Sequence, residues 1–320
     1  LLNDLSSRYF DDNGYSMEPF PIADSQEEAI ALASNKKTEI LRLAPASVPP
    51  ELNLNMVSNE TDLPHIRAQS YGVRSGYYSA AFLLQRIISD KLDVDPIEIE
   101  IADISRKALN DDTDRFVAEI ILTDELPNGS GFVRHLYKNF EAILSDTILP
   151  PAEKVYLKKI HSDSHSGSCY DSCYECLKVY RNMNYHSLLD WRLALSMMRM
   201  MNDETFVCGA DKNFDFVELR GWLDNAIGLR DSFVQSFGYT HKEEVNGLPI
   251  IKWGQDKKNI IAIVHPFWNV ANLNYDENWL AKTITALRKY KDASGGSLSI
   301  IDTFNLHRRP GWCYEKLVIR

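Results

Sequence analysis

Three cysteines, Cys169, Cys173 and Cys176, stand at x3 and x2 spacing in Cys-Tyr-Asp-Ser-Cys-Tyr-Glu-Cys, and His186 follows after nine intervening residues. A Cys-x2-Cys pair lets two thiolates reach one tetrahedral ion from a single turn. A third cysteine and a histidine at the mouth of the next helix would close the other two corners. Thiolates with one imidazole favour zinc over calcium or magnesium, which prefer oxygen ligands. Four protein ligands leave no open position for water, so such a site is structural. The competing reading, three reduced cysteines that only pack, fits poorly with their Ser, Asp, Tyr and Glu neighbours. For the fourth ligand His186 is preferred to His165, and both to His161.

The elements around this cluster follow from pattern. Residues 1–70 are polar and punctuated by proline, with a short helix expected over Glu27–Ser34 and a strand over Thr38–Leu43. From 71 to 92, Tyr77, Ala80, Ala81, Leu84, Ile87 and Ile88 recur at helical spacing. Ile97-Glu-Ile-Glu-Ile101 alternates as a half-buried strand does, and Phe116–Leu122 is expected to pair with it antiparallel. A helix is expected over Val133–Leu144, after the loop Gly129-Ser-Gly131. That loop either cradles an anion or simply needs glycine torsions. A short helix over Ala152–Ile160 precedes the cysteines, and a methionine-rich helix over His186–Met201 follows them. After a linker at 203–214 come a helix (Phe216–Phe237), strands at Leu248–Trp253 and Ile260–Val264, a helix (Trp279–Tyr290) and a strand (Leu298–Ile301).

The totals narrow the function classes. The chain has 320 residues, 44% hydrophobic and 25% charged, with a net charge of −10. That balance gives no global nucleic-acid footprint, so any DNA contact must be a local patch, or must lie on a partner or a missing part of the chain. Arg74, at the start of the 71–92 helix, and Arg308 and Arg309 are the candidate phosphate contacts. Five cysteines, three of them clustered, argue for a metal in a reducing, cytoplasmic setting over a disulfide framework. Cys208 and Cys313 read as free thiols. No apolar run approaches a membrane span. The opening Leu-Leu-Asn-Asp-Leu reads as an internal segment, so the chain is expected to be the carboxyl part of something longer.

The runs Gly72-Val-Arg74-Ser-Gly-Tyr, Pro96-Ile-Glu-Ile, Leu126-Pro-Asn-Gly-Ser-Gly-Phe and Cys169…Cys173-Tyr-Glu-Cys176…Tyr180-Arg-Asn182…His186…Asp190 together resemble the MrfA-type zinc-binding domain. That domain lies at the carboxyl end of a group of superfamily-two DNA helicases. The resemblance covers about residues 60–205. Three cysteines with a histidine, in place of four cysteines, is similar to the variant in DISARM-like and Druantia-like antiphage helicases. It implies a zinc domain that supports the DNA path, a DNA partner, a companion defence subunit, and ATP and magnesium bound by motor lobes outside this sequence, which has no Walker A motif.

The expected fold class is therefore α+β. A lead-in (1–60) precedes a zinc-knuckle domain (61–205), and a small α/β domain (215–320) follows. The last is faintly similar to the restriction-endonuclease fold. A nuclease of that kind needs Asp/Glu-x-Lys on its second strand, whereas Ile260-Ile-Ala-Ile-Val-His265 has none, so an inactive interaction domain is expected. Asp302 and His307-Arg308-Arg309 are its most notable polar residues. Metal-dependent cleavage, or a purely adaptor role, is the alternative.

Overall fold

The computed structural model describes residues 37–318 apart from 60–61, 110–111 and 272–277; the helix expected over Glu27–Ser34 lies outside them. Strand β1 (Ile40–Leu43) precedes the long helix α1 (Pro64–Leu92) and the hairpin β2 (Ile99–Leu109) and β3 (Asp112–Asp124). Helices α2 (Phe132–Lys138), α3 (Phe140–Ile148), α4 (Val155–Ile160) and α5 (Asp163–Ser168) lead to the cysteines, and α6 (Trp191–Asn202) follows them. The rest comprises α7 (Trp222–Phe237), β4 (His241–Val245), β5 (Leu248–Trp253), β6 (Asn259–Val264), α8 (Trp279–Ser294), β7 (Leu298–Asp302), α9 (Thr303–Arg308) and α10 (Pro310–Cys313). The class is α+β, as the sequence pattern predicts.

Two sheets carry the strands. One is antiparallel in the order β1-β3-β2, with Ile101 opposite Leu122. The other runs β4-β5-β6-β7, antiparallel except for β6 and β7, which lie parallel with Val264 opposite Asp302. The parallel pair needs a crossover, and α8 supplies it. Strand β4 was not anticipated. It is an edge strand whose residues are exposed or half-buried, so its Lys-Glu-Glu run carries no apolar alternation to read.

Helix α1 is the spine. Its Val73, Tyr77, Ala80, Ala81, Leu84 and Ile88 are fully buried, which is the stripe the periodicity marks. The helix starts seven residues before the expected Tyr71, because Pro64 occupies its first turn, where a missing N–H is harmless. At Gly72 an added Cβ would lie 2.5 Å from the Pro266 Cβ, so only glycine lets α1 pack this closely on the segment after β6.

The regions expected as separate domains share one core. Residues from Lys37 onward form one compact unit. Gln69 on α1 donates to the Trp268 carbonyl at 3.0 Å, and the Asn305 amide donates to the Ala68 carbonyl at 2.8 Å. The expected linker at 203–214 is built in: Phe206, Cys208 and Ala210 are buried, and the Trp268 indole donates to the Cys208 carbonyl at 2.8 Å. Polar residues made this stretch look like linker, yet Asp203 and Asp211 serve as local turn acceptors. The expected helix over His186–Met201 begins only at Trp191. Asp190 accepts the N–H groups of Arg192 and Leu193 and caps it.

Candidate metal centre

The side chains that converge are His165, Cys169, Cys173 and Cys176, whose ligand atoms all lie within 4.8 Å of one another. Helix α5 positions the first two. Its cap is Ser162, whose hydroxyl accepts the His165 N–H at 3.2 Å. His165 and Cys169 are four residues apart, so they stand on one face of this turn. Cys169 ends the helix by donating its N–H to the His165 carbonyl at 2.8 Å. The chain then doubles back, with the Cys173 carbonyl accepting from Cys176 N–H at 3.2 Å and Lys178 N–H at 2.9 Å. This tight turn aims the Cys173 N–H at the Cys176 sulfur, 3.0 Å away.

The spacings test whether a metal fits. Tetrahedral coordination with zinc–sulfur bonds of about 2.3 Å and a zinc–nitrogen bond of about 2.0 Å implies S···S edges of about 3.8 Å and an S···N edge of about 3.5 Å. Cys173 and Cys176 Sγ are 3.7 Å apart, Cys169 and Cys176 Sγ 3.9 Å, and Cys173 Sγ to His165 Nε2 3.6 Å. All five cysteines of the chain are free of disulfides. The four residues are therefore placed to hold one metal ion.

The surroundings fix the donors. His165 Nδ1 lies 3.1 Å from the Ile160 carbonyl. Donation there leaves Nε2, which faces Cys173, as the free lone pair, the usual orienting bond of a metal-bound histidine. The Trp191 ring packs edge-on against the imidazole, and its indole N–H reaches the Cys169 carbonyl at 3.1 Å. Arg192 donates to the carbonyls of Cys169, Tyr170 and Ser166, and the Tyr156 hydroxyl donates to that of Cys176 at 2.6 Å. Hydrogen bonds from Cys169 and then from the Cys173 backbone hold the Cys176 thiol well below its ordinary range. Cys176 is thereby disposed toward the thiolate a metal requires.

The histidine in the cluster is His165, not the preferred His186. The His186 Nε2 lies 3.0 Å from the Val179 carbonyl and 2.9 Å from the Asn182 Oδ1, where it pins the turn after the cysteines. His161 faces the Thr147 carbonyl at 2.9 Å. The sequence did contain the signal: His-x3-Cys-x3-Cys-x2-Cys is a single run, with its first step one helical turn.

The remaining candidates separate. Arg74 is exposed on α1. Arg308 is turned inward: its guanidinium donates to the Ser187 and Leu189 carbonyls at 2.8 and 2.9 Å and faces the Asp171 carboxylate at 3.3 Å. It ties α9 to the cysteine region instead of presenting a charge to solvent. Arg309 stacks between the rings of Tyr71 and Trp312. Asp302 is buried, which raises its carboxyl pKa, and it caps α9 through the Asn305 N–H at 2.9 Å. The Gly129-Ser-Gly131 loop does cradle an anion, but an internal one: Asp124 accepts the N–H groups of Ser130, Gly131 and Val133 at 2.6–3.0 Å. No helix among the described residues is long and apolar enough to cross a membrane.

Comparison with models of known protein families, with curated proteins and with solved structures finds no match for this chain.

Proposed function

We propose that this chain is a zinc-stapled accessory region of an ATP-dependent DNA helicase or translocase, of the kind used in bacterial antiphage defence. In this role it contacts DNA and a companion subunit, while ATP and magnesium belong to motor lobes elsewhere. The observation that carries the reading is the His165–Cys169–Cys173–Cys176 cluster, set among the ordered motifs that resemble the MrfA-type domain. Thiolate-rich donors at tetrahedral spacing favour zinc. Four protein ligands leave the ion nothing to catalyse with, so its work is to hold α5, the cysteine turn and α6 together. The cluster and Arg192 brace the stretch that Arg308 anchors to α9, which makes the region a rigid support.

Metal-dependent cleavage is less well supported. The run α7-β4-β5-β6-α8-β7 has the helix–strands–helix–strand order that suggested a nuclease-like unit. Strand β6 nevertheless carries no acidic residue or lysine, and Asp302 is engaged as a helix cap. The test measures zinc per chain together with affinity for DNA before and after chelation. About one zinc per chain, with DNA affinity lost on removal, supports the reading; absence of zinc, or affinity indifferent to chelation, overturns it.

A further inference from the structure

Helix α1 shows solvent a face that the metal centre does not explain. Arg67, Tyr71, Arg74 and Tyr78 follow at intervals of four, three and four residues, which is one stripe of a helix. Cations and rings alternate along it. Tyr71 and Arg74 are exposed, and Arg67 and Tyr78 are half-buried. Neither Arg67 nor Arg74 has a carboxylate partner among the described residues, in a chain whose net charge is −10.

Both ends of the stripe are elaborated. At the amino end, Arg67 and Tyr71 line a cavity of about 500 Å³ with Trp312, Glu315 and Lys316. Arg309 sits 4.2 Å from the Tyr71 ring centre and 4.0 Å from that of Trp312, and its Nε donates to Asn305. Its Nη2 is shielded from solvent with no acceptor, and an orphaned buried donor of this kind calls for an explanation. Helix α1 itself starts here without a side-chain cap or an acid in its first turn, so its positive end faces the same way. Among the described residues that line it, the carboxylate is Glu315, which stands 3.9 Å from Lys316. At the other end Tyr78 stacks on Tyr185, ring centres 5.0 Å apart, in the turn that follows the cysteines.

From this arrangement we infer that the outer face of α1 is a track for single-stranded nucleic acid. The inference rests on the DNA-binding reading above and gives it a site and a substrate class. Guanidinium groups take phosphates; the exposed Tyr71 ring takes a base by stacking without regard to sequence, and the half-buried Tyr78, stacked on Tyr185, closes the far end of the stripe. Tyr71 and Tyr78 are separated by about 10 Å along the helix axis. That suits bases splayed from an extended strand, not the roughly 3.4 Å repeat of a stacked duplex.

Fluorescence anisotropy of the full chain with labelled oligodeoxythymidine tests this, alongside a blunt duplex, a mononucleotide and inorganic phosphate as competitors. Tyr71→Leu is expected to weaken binding by roughly five- to a hundredfold, the range for one lost stacking partner, while Tyr71→Phe retains it. Arg67→Gln with Arg74→Gln is expected to flatten the dependence of log affinity on log salt by about 0.7 per arginine. Zinc content and thermal unfolding of each variant should match the parent. If the parent binds the oligonucleotide and these variants bind equally well, the track is wrong and the DNA-binding reading stands. If the parent binds no DNA, both fall; if it binds duplex alone, the strand assignment falls and the DNA-binding reading stands. Competition by phosphate or mononucleotide as strong as by the oligonucleotide would reduce the site to a small-anion pocket and overturn the strand assignment.

Discussion

Replacing each of two histidines separates a metal ligand from a structural brace. His165→Ala removes one of four donors and leaves three thiolates around an open position. Structural zinc in small domains contributes about 10–16 kcal/mol of apparent binding energy that appears as folding energy. A quarter to a third of that, about 3–5 kcal/mol, is comparable with the whole stability of a marginal protein. The imidazole is also 3% exposed and packed on Trp191, so its removal adds a packing loss. His186→Ala removes the bonds to Val179 and Asn182, worth about 1 kcal/mol each, and leaves the cluster intact. Elemental analysis and thermal unfolding, each with and without chelator, read both effects. The expected outcome is loss of zinc and a large drop in stability for His165→Ala. For His186→Ala, full zinc and a shift of a few degrees are expected. Full zinc in His165→Ala together with loss in His186→Ala would refute the assignment made from the tetrahedral edges.

Two further outcomes follow from buried polar groups. Asp124→Asn keeps the shape of the residue beneath the Gly129-Ser-Gly131 loop but takes away the charge that three N–H groups share; a loss of about 3 kcal/mol in denaturant unfolding is expected, and an unchanged midpoint would show that the loop holds itself. Burial lowers the His265 pKa to about 3, and burial followed by the nearby Arg288 lowers that of His65 to about 4. Below the ordinary value of about 6.5 the unfolded chain takes up protons that the folded chain refuses. Their contribution is therefore complete above pH 6.5 and is lost as pH falls, toward 4 for His65 and toward 3 for His265, by up to about 1.4 kcal/mol per unit for the fully buried His265. A His265→Gln variant should show a shallower acid slope in unfolding experiments, and an identical slope would remove His265 from the account.

Legibility in the sequence tracked how strongly one face of each element is buried. The α1 stripe and the strands around Phe116–Leu122 and Ile260–Val264 have an apolar face or an apolar run, and each sits where its pattern places it; the strand expected over Ile97–Ile101 begins only at Ile99, because Pro96–Glu98 forms a 3-10 turn that leaves Ile97 exposed. Strand β4 and the segment 203–214 lack that contrast. One is held by backbone pairing with β5 and the other by carbonyl acceptors, and neither leaves a trace in residue periodicity. The expected helix over Val133–Leu144 is two helices meeting at Asn139, whose side chain turns back to the His135 carbonyl at 2.8 Å. At the metal centre the three cysteines were plain from spacing. The histidine was not, because a downstream ligand before a helix looks as good on paper as an upstream one. What decides between them is the capped turn of α5, which a one-dimensional reading does not weigh.

The same tertiary bonds bear on how metal loss would spread. Arg192 reaches from α6 to three carbonyls around Cys169, and Arg308 reaches from α9 to the carbonyls of Ser187 and Leu189 just before α6. Each guanidinium needs those carbonyls to stay where the cysteine turn holds them. An arginine left without acceptors in a half-buried site costs more than its bonds contributed. Release of the metal would thus strain the junction of α6 and α9 as well as the turn itself. The cluster is therefore tied, through Arg192 and Arg308, to both α6 and α9, so its loss is expected to be felt beyond the cysteine turn.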